Sequence, residues 1–149
     1  MQQYRILLVE DNEGDVVLTL KALKKTNVES AVDVVRDGEK ALQFLRKEGP
    51  YEHAETPSLI LLDINLPKIN GKEVLSIIKN NSELQMIPVI MLTTSNAEMD
   101  IKQSYYNRAN CFITKPSDFK SFMEVMQQIK DFWLNVVRLP NFNKDKEAN

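Results

Sequence analysis

This chain of 149 residues holds one cysteine, one histidine and four glycines. With Cys111 the only cysteine, no disulfide can close within the chain. With His53 the only histidine, a multi-histidine zinc or iron centre is excluded. Neither sign of charge dominates: the net charge of −2 gives no support to a nucleic-acid-binding module, which carries a strong basic excess. No apolar run approaches the length of a membrane span. The apolar stretch after Arg5 is too short for a secretory signal and runs straight into Glu10 and Asp11. Together these absences favour the reducing cytoplasm and argue against nucleic-acid or membrane partners. What remains is ordinary for a soluble globular protein, with 43% hydrophobic and 27% charged residues. A chain of this length forms one domain and buries roughly two-thirds of its unfolded surface.

Short apolar runs alternate with helical stretches five times. Tyr4 to Val9, Ala31 to Val35, Leu59 to Asp63, the run opened by Pro88, and Cys111 to Thr114 read as strands. Gly14 to Lys25, Glu39 to Lys47, Gly71 to Asn80 and Ala97 to Asn107 read as helices. Gly49 to Pro57 is a polar loop. Ser117-Asp118 caps a long final helix, in which Phe119, Phe122, Met126, Ile129, Trp133 and Val136 form a core-facing stripe, with Val125, Phe132 and Val137 off it. The ordered domain spans 1–140 and ends at Pro140; Asn141 to Asn149 reads as a frayed polar tail. Near-continuous apolar strands separated by helices predict a five-stranded parallel sheet, doubly wound, with the flavodoxin-like order 2-1-3-4-5.

Five polar residues stand at the C-terminal ends of these strands: Glu10, Asp11, Asp63, Thr93 and Lys115. Carboxyl ends of strands line the crevice of an open α/β sheet, so the five converge. Three carboxylates brought that close would repel and raise at least one pKa, a cost that a hard divalent cation removes. Magnesium suits a small all-oxygen site. Glu10 and Asp11 would also serve as acids at a helix N-terminus. Asp63 is a candidate nucleophile, because aspartate can form an aspartyl phosphate. An acid that only binds the cation fits the same pattern, and sequence alone does not separate the two. Thr93 offers a hydroxyl to a phosphoryl oxygen, although Thr94 and Ser95 beside it blur the assignment. Lys115 offers a compact positive charge.

In combination and order, Ile6-Leu7-Leu8-Val9-Glu10-Asp11-Asn12, Leu61-Leu62-Asp63-Ile64-Asn65-Leu66-Pro67 with Gly71, Val89-Ile90-Met91-Leu92-Thr93 and Ile113-Thr114-Lys115-Pro116 are highly specific. The chain resembles the receiver (response regulatory) domain of two-component response regulators. The resemblance implies that Asp63 takes a phosphoryl group from a sensor histidine kinase. It implies that Asp11, Asp63 and the backbone carbonyl of Asn65 hold magnesium directly, with Glu10 acting through water. Thr93 and Lys115 would contact the phosphoryl group, and Thr93 and Phe112 would act as switch residues. Phe112 brings no hydroxyl to its position, and Lys115-Pro116 stands at a peptide bond that is usually cis. Glu48-Gly49-Pro50-Tyr51, Leu92-Thr93-Thr94-Ser95, Ala109-Asn110-Cys111 and Asp131-Phe132-Trp133-Leu134 resemble the small stand-alone regulators paired with bacterial phytochromes. Apolar residues left outside the last helix's core stripe point to a homodimer.

Two other classes compete. A magnesium-dependent phosphatase of haloacid dehalogenase type would use an aspartyl phosphate in turnover. It needs a general acid two residues after the nucleophile, where this chain has Asn65, and its acid pair follows the last strand rather than the first. A flavin or nucleotide module would need a glycine-rich phosphate loop after the first strand, where Glu10-Asp11-Asn12 stands instead.

Overall fold

The computed structural model describes residues 4–24 and 30–143. Five strands, β1 (Tyr4–Val9), β2 (Ser30–Val35), β3 (Leu59–Leu62), β4 (Val89–Thr93) and β5 (Cys111–Thr114), alternate with α1 (Glu13–Lys24), α2 (Gly38–Arg46), α3 (Gly71–Lys79), α4 (Glu98–Tyr106) and α5 (Phe119–Ile129). The strands form one parallel sheet in the expected order β2-β1-β3-β4-β5. The expected end of α1 at Lys25 lies outside the described residues.

Alternation along the strands sorts the core into two layers. Leu7, Val9, Ile60, Leu62, Val89 and Met91 pack with α2 and α3 on one face. Ile6, Leu8, Leu59, Leu61, Ile90 and Leu92 pack with α1 and α5 on the other. The central strands are buried on both sides, which is why they read as unbroken apolar runs. Local side-chain caps set where several helices begin. Asp37 accepts from the Lys40 amide at 2.7 Å, Asn70 from the Lys72 and Glu73 amides at 2.9 and 3.1 Å, and Asp118 from the Ser121 amide at 2.9 Å. Among the described residues no helix is long and apolar enough to cross a membrane.

Three expectations need correction. The inward stripe of the last helix is Phe122, Met126, Ile129 and Leu134, while Phe119 and Val136 are exposed and Trp133 is only half-buried. Phe119 stands in the first turn, ahead of the residues that meet the sheet. Beyond Ile129 the helix widens into a π-helical stretch, Lys130–Val136, where the Val137 amide donates to the Phe132 carbonyl five residues back at 2.8 Å. The wider turn moves the inward position from Trp133 to Leu134 and brings Val137 onto the core. The ordered chain also continues past Pro140. Asn143 is buried, its side chain donating to the Thr56 carbonyl at 2.9 Å and accepting from the Thr56 amide at 3.3 Å. Phe142 packs on the α2–α3 layer. Residues 144–149 of the expected tail lie outside the described residues. Finally, the Lys115–Pro116 peptide is trans.

Candidate functional site

The sheet register brings the strand ends level. Val9 pairs with Leu62, Leu62 with Met91, and Thr93 with Thr114. The next residues, Glu10, Asp63 and Lys115, therefore emerge at one edge of the sheet. Backbone hydrogen bonds prolong the ladder through them: the Glu10 amide donates to the Val35 carbonyl at 3.1 Å, that of Asp63 to Val9 at 3.1 Å, and that of Lys115 to Thr93 at 2.6 Å. Glu10, Asp63, Thr93 and Lys115 are all buried, while Asp11 is exposed.

Lys115 is the hub. Its ammonium donates to Glu10 Oε1, to Asp63 Oδ2 at 3.1 Å and to Asp15 Oδ2 at 3.0 Å. Oxygens of Glu10, Asp11 and Asp63 lie within 4.8 Å of one another. Three carboxylates with no nitrogen or sulfur donor among them fit a hard divalent cation. Glu10 Oε2 also accepts from the Asn12 amide at 3.2 Å, so both of its oxygens are engaged. Asp63 Oδ1 accepts from the Asn65 amide at 3.2 Å, which sets Asn65 directly beside the carboxylate.

Burial pushes the Glu10 carboxyl up to about 7; the hydrogen bond from Lys115 opposes that rise and the charge of Asp63 adds to it. For Lys115, burial works to lower the pKa. The hydrogen bond to Glu10, the charges of Asp63 and Glu10, and the hydrogen bond to Asp15 outweigh it, so the pKa is raised. The two shifts pull the pair's charge in opposite senses. Lys115 is the member that stays charged, since several acids share it, and Glu10 is the member that gives way.

Sequence reading missed Asp15. It sits in the first turn of α1 and reaches Lys115 from 100 residues away along the chain, so no local spacing pointed to it. Phe112 lies on the edge strand β5, half-buried against the α2–α3 layer, with its amide donating to the Tyr105 hydroxyl at 3.2 Å.

The loop after Asp63 is held tightly. The Gly71 amide donates to the Ile64 carbonyl at 2.8 Å, and a Cβ at Gly71 would lie 1.9 Å from the Asp63 carbonyl oxygen. The start of α3 is thus seated on the backbone of the site's central acid.

Comparison with known proteins agrees with this geometry. Residues 6–127 match the family described as response regulator receiver domain. The chain is 45% identical over 135 residues to the response regulator Rcp1 of Synechocystis sp., covering 91% of this chain and 92% of that protein. The crystal structure of the Mn(2+)-bound form of Rcp1 superposes with a TM-score of 0.90 at 44% identity, over 92% of this chain and 99% of that one. That of the phosphorylated cyanobacterial phytochrome response regulator RcpA gives 0.91 at 44% identity, over 94% and 100%. Five parallel strands in this order, with an acid cluster and a lysine gathered at their carboxyl ends, are accounted for by one membership: the chain belongs to the response regulator receiver domain family.

Proposed function

We propose that Asp63 is the phosphoacceptor, taking a phosphoryl group from the phosphohistidine of a sensor histidine kinase with magnesium as the site's cation. The carrying observation is the placement of Asp63: buried at the end of the central strand, one oxygen on Lys115, and within reach of Glu10 and Asp11. A carboxylate oxygen of Asp63 attacks phosphorus, the P–N bond breaks, and its electron pair leaves on the imidazole nitrogen. Asp11, Asp63 and the backbone carbonyl of Asn65 would hold magnesium directly, with Glu10 acting through water. When bound, magnesium supplies neutralising charge for the acids and the transferred group. Lys115 and Thr93 hold the phosphoryl oxygens, and Thr93 and Phe112 carry the switch to α4, β5 and α5. The protein accepts a group rather than turning over a substrate. Similarity to the cyanobacterial phytochrome response regulator RcpA supports a kinase of the bacterial phytochrome class, and the single cysteine suits a cytoplasmic site of action.

Incubation with magnesium and a small phosphodonor, followed by intact-mass analysis, tests this. One phosphoryl group is expected on the wild type and none on Asp63→Asn, which keeps the shape and removes the nucleophile. Equal labelling of both overturns the assignment.

The same reading includes a homodimer formed through the C-terminal helical extension and strengthened by phosphorylation. Phe132 and Val136 are exposed and lie one helical turn apart. Large apolar side chains left in water favour a contact surface. Sedimentation with and without beryllofluoride, a phosphoryl mimic, should show self-association that Phe132→Asp abolishes without unfolding the chain. A monomer in both states rejects the dimer.

A further inference from the structure

Helix α4 is attached unlike the other helices. Among the described residues neither apolar layer includes a side chain of α4, and Ser104 is its only buried residue. Ala97, before its first turn, gives no side-chain cap. What holds it is polar. Lys72, the second residue of α3, donates to Asp100 Oδ1 and to Gln103 Oε1, both at 2.8 Å. The Ser95 hydroxyl donates to Asp100 Oδ2 at 2.5 Å and accepts from the Ala97 amide at 3.3 Å. The Ser95 amide reaches Thr93 Oγ1 at 3.4 Å.

Asp100 therefore has one oxygen tied to α3 and the other to the β4–α4 loop. The chain of contacts closes around the phosphoacceptor. It runs from Thr93 through Ser95, Asp100 and Lys72 to Gly71, whose backbone is seated on Asp63. Beside it lies a cavity of about 450 Å³ lined by Ile64, Asn65, Leu66, Asn70, Lys72 and Asp100. Asp100 thus borders open space on one side while its carboxylate is tied to Lys72 and Ser95. An element held by a few half-exposed polar ties moves at small cost, whereas one held by buried apolar area does not.

We propose that Asp100, with Lys72 and Ser95, forms a latch that holds α4 and the β4–α4 loop in the unphosphorylated arrangement, making Asp100 a positioning residue that sets how readily the phosphoryl site switches. The proposal rests on the reading of Asp63 as phosphoacceptor and of Thr93 as its contact. Thr93 cannot be drawn toward a phosphoryl group without pulling on Ser95, and Ser95 is anchored by Asp100. A ligand that selects the switched arrangement binds more weakly by the fraction of molecules already in it. Opening the latch raises that fraction.

The test is titration with beryllofluoride in the presence of magnesium. Asp100→Asn is expected to bind about three- to tenfold tighter than the wild type, the range open to a half-exposed charged pair and its hydrogen bonds. Ser95→Ala removes one tie and should tighten binding less. The exchanged pair Lys72→Glu with Asp100→Lys restores the tie to α3 and should return affinity part of the way to the wild-type value. A residue with only a structural role would leave affinity unchanged or weaken it, so the sign decides. Independently, amide exchange over residues 94–101 without fluoride should be faster in Asp100→Asn than in the wild type. Unchanged or weaker binding, or unchanged exchange, overturns the latch. Failure of the wild type itself to bind beryllofluoride would overturn the phosphoacceptor reading, and the coupling with it.

Discussion

Lys115→Ala is expected to lose about 3–5 kcal/mol of folding stability without a divalent cation, and to regain much of it when millimolar magnesium is added. The magnitude is that of removing one partner from a buried ion pair, where the penalty is the charge left uncompensated. Here the orphaned charges are those of Glu10, Asp63 and Asp15, all of which share the one ammonium. The loss should depend on pH in a definite sense. Folding raises the Glu10 pKa from 4.5 to about 7, so within that window the folded state binds more protons than the unfolded one. Stability then falls as pH rises through the window. Lys115 limits this effect in the wild type, because its hydrogen bond lowers the Glu10 pKa. Its removal should therefore cost more at pH 8 than at pH 5, where Glu10 takes up a proton and sheds its charge. The raised pKa of Lys115 itself matters only in strongly alkaline solution. Urea denaturation at both pH values, with and without magnesium, reads all of this. An equal loss under all four conditions would mean that the acids of the site do not depend on Lys115. Where the folded variant is recovered with magnesium, it should still accept a phosphoryl group but lack the amide-exchange change that accompanies phosphorylation in the wild type.

Gly71→Ala is expected to destabilise the protein by about 3 kcal/mol or more and to impair phosphorylation of Asp63. Two effects oppose each other at this position, the first residue of α3. Alanine is the better helix former by about 1 kcal/mol, which taken alone predicts a gain. Against that, the added Cβ would lie 1.9 Å from the Asp63 carbonyl oxygen, and 2.8 Å from both the Asp63 carbonyl carbon and the Ile64 Cα. These are backbone atoms with no rotamer into which to retreat, so the helix start or the Asp63 loop must shift. The same loop carries the Asn65 amide that bonds Asp63 Oδ1, so the carboxylate moves with it. Gly49 serves as the control. It has a positive φ but open space around its Cβ, so Gly49→Ala should lose only about 1–2 kcal/mol. Denaturant unfolding of both variants, with intact-mass labelling, makes the comparison. A Gly71→Ala protein as stable and as readily labelled as the wild type would rule out the close approach.

Much of the architecture is local information. Each of Glu10, Asp63, Thr93 and Lys115 ends or follows a short apolar run, and the near-complete burial of the central strands β1, β3 and β4 on two faces leaves an unbroken hydrophobic signature there. Short strands spaced by helices restrict the topology to few choices, and the C-terminal strand ends then coincide. For those reasons the fold class, the strand order and the gathering of Glu10, Asp11, Asp63 and Lys115 were legible in the sequence alone. Asp15 was not, because its contact with Lys115 joins residues 100 apart and only the folded sheet sets their distance. The inward phase of the last helix was not, because a π-helical stretch shifts the register after Ile129 and no periodicity of 3.6 anticipates it. The tether of Asn143 to Thr56, across 87 residues, looked like a polar tail for the same reason. The ties from Asp100 to Lys72 and Ser95 belong with these. Hydrophobic pattern and strand-end chemistry are written along the chain, whereas hydrogen-bond partners between polar side chains depend on distances of a few ångströms that only tertiary packing decides.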